Sequence, residues 1–257
     1  MDQLTNVKHR TNVRGPQPLL IPQSIAMRAA DLDQIRQLPL FADIAPAHFD
    51  DLVAGAFLQR FPPRMELIRE GDLPDFLHVV VEGLVEVYGT LEDAETALGI
   101  LGANATFVVA AVVRDEVYLT SARTLNSARI LMIPAPTVRA VFDQDAAFAR
   151  AVVGDLAGRY RRLVRDIKSN KLRTGLERLA NYLLQLQAEQ GGKTVVDLPI
   201  EKRTLASYLG MAPENLSRAF VNLAEHGVEV SGNRVSIINK SKLRRFARAH
   251  PLIDAVD

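Results

Sequence analysis

Apolar residues alternate with polar ones in the first half of the chain and recur at three- and four-residue intervals in the second. Val79, Val80 and Val81 run into Gly83; Val85 and Val87 then alternate with Glu86 and Tyr88, the period of two expected of strands joined by a turn. Gly71, within Arg69–Asp72, and Gly83 stand where turns need a backbone open to positive φ. Leu98, Ile100 and Leu101 lead to another turn at 102–104, and Ala128–Ile133 forms a last strand that stops before Pro134 and Pro136. Short strands at this spacing predict an antiparallel barrel or roll. A helix-like stretch, Met27–Leu38, comes first. Residues 1–26 are polar, hold three prolines and carry no sustained period, so a flexible tail is expected there, either a tether or the product of a misplaced start codon.

The period changes at residue 137. Val138, Phe142, Phe148, Val152, Leu156, Leu163 and Ile167 fall at spacings of three, four and their sums, which predicts a long amphipathic helix with a cap or break at Asp143 or Asp145. Its later half sets Arg159, Arg161, Arg162 and Arg165 beside a narrow apolar stripe. Such a helix suits a seam between two subunits, or packs on its own domain. Glu177–Gln190 is a further helix, with Leu179, Tyr182, Leu183 and Leu186 on one face and Gly191–Gly192 at its end. The fold class expected is α+β: a tail over 1–26, an antiparallel β-roll of the double-stranded β-helix type over 27–136, a central dimerisation helix over 137–169 and a winged helix-turn-helix over 170–257.

The most specific pattern lies in residues 202–237. Lys202–Leu209 is helical in pattern, Gly210-Met211 breaks it, and Pro213 sits in the first turn of a second helix that runs to about Glu225. Two short helices joined by a short turn with Gly make a helix-turn-helix. Ala206 is small where the helices cross, Gly210 follows four residues later, and Leu216 fills the space between them. Val228–Val230, the turn Ser231-Gly232-Asn233 and Val235–Ile237 then read as a hairpin wing. The alternative is an ordinary helical pair. As a DNA reader, the second helix presents Ala212, Pro213, Glu214, Asn215, Ser217 and Arg218 to the major groove. Arg can bond guanine bidentately and Glu can accept from the cytosine amino group. Arg203, Thr204 and Arg234 suit phosphates, which orient a protein without reading sequence.

Composition supports two jobs on one chain. In 257 residues, 48% hydrophobic and 24% charged, a sizeable core is available. The net charge of +1 hides an asymmetry: residues 1–133 carry 11 Lys/Arg against 17 Asp/Glu, and residues 169–257 carry 13 against 9. A basic half is the electrostatic footprint of nucleic-acid binding. No cysteine occurs, which excludes disulfides, thiolate catalysis and cysteine-held metal clusters. No apolar run approaches the 20 or so residues of a membrane span, and no signal-peptide layout opens the chain, so the expectation is a cytoplasmic protein without a membrane partner. Walker, GxSxG and HExxH motifs are all missing, and the reading is of a non-enzyme with no metal site.

With these residues in view, the chain resembles the CRP/FNR family of bacterial transcription factors over roughly residues 28–248. The likeness is carried by LPLFADI, REGD and VVVEGLVEVY, SARILMIP, LRTGLERLANYLL and EKRTLASYLGMAPENLSRAF. It implies an effector-sensing roll, a homodimer joined through the central helix, double-stranded DNA bound at a palindrome, and contact with RNA polymerase. Glu214, Ser217 and Arg218 match the recognition helix of the FNR branch, which implies a half-site like TTGAT. The C-terminal details are most similar to FtrB-type activators.

The roll departs from the family's cyclic-nucleotide pattern of Phe-Gly-Glu opening a short helix and Arg-Ser/Thr before the last strand. Phe107 is followed by Val108, Val109 and Ala110, and Tyr118-Leu119 stand where Arg-Ser/Thr is expected. A phosphate facing Val109, Ala110 and Leu119 would lose water without gaining donors, so cyclic AMP is not expected to bind tightly. Arg114 and Arg123 are the only substitutes at hand. The stretch Phe107–Val113 lines a pocket for an unknown apolar effector or is simply core, with Tyr118 at a pocket's polar edge. A haem would need an axial ligand, for which His78 is the candidate, against a plain packed histidine. The rival reading is a small-molecule-binding or protein-interaction module whose C-terminal helices contact a partner protein.

Overall fold

The computed structural model describes residues 27–254; the tail predicted over 1–26 lies outside them. Helices α1 (Ala29–Arg36) and α2 (Pro46–Ala54) lead into strands β1 (Phe57–Phe61), β2 (Glu66–Ile68), β3 (Phe76–Glu82), β4 (Val85–Leu91), β5 (Ala94–Leu101) and β6 (Thr106–Phe107). A short helix α3 (Val109–Arg114) precedes β7 (Ser121–Thr124) and β8 (Ala128–Pro134). Two four-stranded antiparallel sheets result, in the orders β1-β8-β3-β6 and β2-β7-β4-β5. The continuous run of buried residues in β3 follows from burial on both faces. Leu77, Val79 and Val81 face a core shared with the helices, while Val80 faces Phe61, Leu67 and Ile130 between the sheets. Gly83 turns β3 into β4 at φ 89°, and a Cβ there would stand 2.7 Å from the Ala128 Cα and from the Ser127 carbonyl. Only glycine fits both demands.

The helical period from residue 137 resolves into α4 (Ala135–Gln144) and α5 (Ala146–Leu172), broken at Asp145. The Asp145 carboxylate accepts from the Ala147 and Phe148 amides at 2.9 Å, which caps α5, and also from the Ala45 amide at 3.0 Å. His48 Nδ1 lies 2.8 Å from the same carboxylate. Phe148 stacks on Phe41, so the start of α5 is fixed to the roll. The apolar stripe then divides. Phe148 and Val152 are fully buried in the roll's core, whereas Tyr160, Leu163 and Ile167 stand free on the far half of a helix about 40 Å long.

Helix α6 (Gly175–Glu189) opens with a capping box between Thr174 and Glu177. After β9 (Val195–Asp197) come α7 (Lys202–Tyr208), α8 (Pro213–Leu223), β10 (Val228–Ser231), β11 (Arg234–Ile237) and α9 (Lys240–Phe246). The hairpin β10–β11 gains β9 as a third antiparallel strand on β11. Leu179, Leu183, Leu205, Ala206, Leu216, Phe220, Val235 and Leu243 close one core over this C-terminal half. Among the described residues no helix is long and apolar enough to cross a membrane.

Candidate nucleic-acid interface and sensor cavity

Helix α8 is divided lengthwise. Leu216, Ala219, Phe220 and Leu223 are buried, and Glu214, Asn215, Ser217 and Arg218 are exposed. Ala212 and Pro213 are exposed at its start, with Pro213 inside the first turn, where a missing N–H costs nothing. Glu214 also lies in that first turn, where a carboxylate suits the helix dipole. The Arg218 guanidinium donates to the Asn215 side-chain oxygen one turn back, and Ser217 Oγ donates to the Pro213 carbonyl at 3.1 Å. Both side chains are therefore oriented on the exposed face.

The turn between α7 and α8 is held from below. Gly210 carries φ 62°. Arg178 on α6 donates to the carbonyls of Leu209 at 2.8 Å, Arg173 at 2.8 Å and Gly210 at 3.3 Å. One planar cation thus satisfies three backbone oxygens and ties α6 to the turn. No spacing signal marks Arg178, because carbonyl recognition by a side chain 31 residues earlier leaves no local pattern. Lys202 lies 5.4 Å from the Phe220 ring centroid, fixing α7 over α8.

The three residues assigned to phosphates separate. Arg234 is exposed on the wing, 3.7 Å from Asp197. Arg203 and Thr204 instead line a cleft between α7 and the roll, together with Arg64, Asp93, Glu95 and Ser207. Across this cleft one Arg64 guanidinium nitrogen donates to both Glu201 carboxylate oxygens at 2.8–2.9 Å, and the Ala97 amide donates to Ser207 Oγ at 2.8 Å.

The four residues expected to form an effector pocket do not come together. Val109 points into the core shared with α4 and α5, Ala110 is exposed on α3, and Leu119 is 82% exposed. Tyr118 lines a cavity between β1, β2 and the start of β3 that also includes His78, and Val109, Ala110 and Leu119 are not among its lining residues. The reason is geometric: α3 is amphipathic, so its buried side packs outward against helices rather than inward between the sheets. Val108 takes φ 60° where the family pattern places glycine, and it carries a β-branched side chain in a left-handed conformation. Arg114 pairs with Glu116 and Arg123 with Glu86 and Glu95, so both substitute cations are engaged. His78 is 4% exposed and stacks on Phe107 at 4.8 Å; burial lowers its pKa to about 4. Desolvation raises the Tyr118 phenol to about 12. No group of three or more His, Cys, Asp or Glu residues able to hold a metal occurs among the described residues.

A two-sheet roll, a long helix and a winged helix-turn-helix with one apolar and one polar face define a DNA-binding regulator. Comparison with known proteins agrees. Residues 58–145 match the cyclic nucleotide-binding domain and residues 177–246 the Crp-like helix-turn-helix domain. The cyclic AMP receptor protein of Thermus thermophilus is 26% identical over 193 residues, covering 74% of this chain and 87% of its own. The probable transcriptional regulator flp of Lacticaseibacillus casei is 42% identical over 71 residues, 27% of this chain and only 32% of its own length. In fold, FixK2 from Bradyrhizobium japonicum superposes with a TM-score of 0.66 at 20% identity, covering 79% of this chain and 98% of that one. The chain belongs to the CRP/FNR family of transcription regulators, whose members act by binding DNA and are not enzymes.

Proposed function

We propose that the protein is a homodimer that reads a palindrome of two FNR-like half-sites, of the TTGAT type, one helical turn apart. The observation that carries this is the exposed face of α8, where Glu214, Asn215, Ser217 and Arg218 line up over a buried apolar face. In this reading Arg218 bonds guanine O6 and N7, Glu214 accepts from a cytosine amino group, and Ser217 reaches a base or phosphate. Ala212, Pro213 and Asn215 lie against the backbone at the start of the helix, and Arg234 meets a phosphate from the wing. Arg203 and Thr204 reach phosphates once α7 leaves the roll. The exposed Tyr160, Leu163 and Ile167 on α5 supply the dimer seam. The roll has lost the cyclic-nucleotide cradle: valines and an alanine replace Gly-Glu, and Tyr118-Leu119 replace Arg-Ser/Thr. Its effector is another small molecule, and RNA polymerase is the partner on DNA.

The test is binding to a fluorescent duplex bearing two such half-sites. Affinity falls steeply as salt rises. Arg218→Ala relaxes discrimination at one guanine by about 1–3 kcal/mol, whereas Arg203→Ala weakens every duplex alike. Binding that ignores both salt and Arg218→Ala overturns the reading. Calorimetry with cyclic AMP shows no micromolar affinity if the cradle is lost.

A further inference from the structure

Two extended residues, Arg173 and Thr174, link α5 to α6 and form the hinge between the long helix and the winged domain. The segment that follows α9 is fastened on both sides of this hinge. On the α6 side the Asn181 side-chain amide donates to the Ala247 carbonyl at 2.7 Å. Arg248 then takes φ 49°, a left-handed turn, and the chain doubles back to α10 (Pro251–Asp254), which packs on α5. There the Arg173 guanidinium meets the Asp254 carboxylate fork to fork, one nitrogen to each oxygen, both at 2.6 Å. A further bond of 3.3 Å runs from Arg173 to the Arg248 carbonyl, and the His250 amide donates to the same carboxylate at 2.6 Å. The side chains of the pair are only 5% and 13% exposed.

We propose that the segment 247–254 is a strap that fixes the angle between α5 and α6, with Arg173 and Asp254 as the residues that position the DNA-reading head. The argument is one of placement. A pair within one domain steadies that domain alone. This pair joins the hinge to a segment anchored on α6, so bending at Arg173 must pull Asp254 from its fork or Ala247 from Asn181. Parting two buried charges leaves each uncompensated, and the fork resists that motion. The Arg173 carbonyl carries the constraint onward. It accepts from Arg178, which also holds the Leu209 and Gly210 carbonyls in the turn before α8. Asp254, Arg173 and Arg178 thus reach the reading motif from behind and leave the exposed face of α8 untouched. The strap shares no hydrogen bond or ion pair with the docking of α7 on the roll.

What the strap does on DNA rests on the palindrome reading above; the strap itself does not, and the test has an arm for each. The full chain carrying Asp254→Asn is compared with the unaltered protein. Without DNA, the Arg173 amide, which donates to the Ser169 carbonyl at 3.2 Å, exchanges its hydrogen about tenfold faster, while amides of β11 change less than about twofold. A loss of stability spread over the whole domain would quicken both alike. On DNA, Asp254→Asn binds a single half-site within about twofold of the unaltered protein but loses about tenfold on the correctly spaced pair. It also accepts pairs whose spacing is altered by about two base pairs, which the unaltered protein rejects. Asp254→Glu keeps the charge and restores most of both properties. Arg173→Lys keeps the charge but not the fork, and decides by the same readouts should Asp254→Asn fail to fold. Exchange at Arg173 that is unchanged, or that rises no more than in β11, overturns the strap. Loosened exchange with the spacing preference intact overturns its role in positioning. An unaltered protein that shows no preference between one half-site and two defeats the palindrome reading instead, and the exchange arm then decides the strap alone.

Discussion

The backbone N–H of Ala97 on β5 donates to the Ser207 hydroxyl on α7 at 2.8 Å, joining the roll to the winged domain across 110 residues of sequence. Leu84, Ile100 and Leu125 of the roll add apolar contact with the winged core, and Arg64 adds its pair with Glu201. The first helix of the DNA-reading motif is therefore docked on the sensor. Ser207→Ala strands the Ala97 amide and removes about 1 kcal/mol of net hydrogen bonding. The amide of Ala97 then exchanges its hydrogen about fivefold faster, a change that hydrogen exchange read at that residue detects. Unchanged exchange at Ala97 would show that the bond to Ser207 contributes nothing to the docking.

Tyr160, Leu163 and Ile167 are 69%, 57% and 50% exposed on α5, so a charge at Leu163 disturbs no packing within the chain. Leu163→Asp is expected to keep the melting temperature of the roll and to shift sedimentation to that of a monomer. Affinity for a two-half-site duplex falls with it, because one recognition helix must then bind without its twin. A variant that still sediments as a dimer would place the seam elsewhere.

Two glycines with the same φ, 89°, separate strain from space. At Gly71 nothing lies within 4 Å of an added Cβ, so Gly71→Ala costs only the left-handed penalty of about 1–2 kcal/mol. At Gly83 the same Cβ would meet backbone atoms at 2.7 Å, so Gly83→Ala costs clearly more and shifts Ser127–Ala128. Urea denaturation of the two variants should rank them in that order.

Acid should destabilise the protein in two windows. His78 is neutral in the fold, with its pKa lowered from 6.5 to about 4 by burial, while the unfolded chain takes up the proton near 6.5. Its contribution is present above 6.5 and is lost as pH falls from there toward 4, about 3 kcal/mol at 1.36 kcal/mol per unit. His78→Phe flattens the stability curve over that interval. Asp145 acts lower. The Phe148 amide, His48 and further backbone donors hold its carboxylate well below the ordinary aspartate value, so its contribution is lost only as pH falls below about 4. Asp145→Asn removes that second slope. Urea midpoints measured from pH 7 to pH 3 separate the two.

Local pattern carries much of this architecture. The period of two in Val79–Val87, the period of 3.6 from Val138 and the spacing of Ala206, Gly210 and Leu216 each express one face of one element, and a face is legible wherever water lies on its other side. The polar face of α8 was legible for that reason. The cavity was not, because its walls come from β1, β2, β3 and β8, and none of those strands shows alone what it encloses. Val109 misled because a valine-rich helix has the same composition whether it lines a pocket or packs outward. By sequence Asp143 and Asp145 suit the break equally; the three backbone amides that converge on the Asp145 carboxylate decide between them.

By itself the amino-acid order determines which segments are strands and helices and which side of α8 meets solvent, since those depend on neighbours a few residues apart. The tertiary structure decides the docking of α7 on β5, the clamp of Arg178 on the turn and the pairing of Arg173 with Asp254. Each depends on atoms distant along the chain, whose meeting is set by the packing of whole elements and leaves no periodic trace.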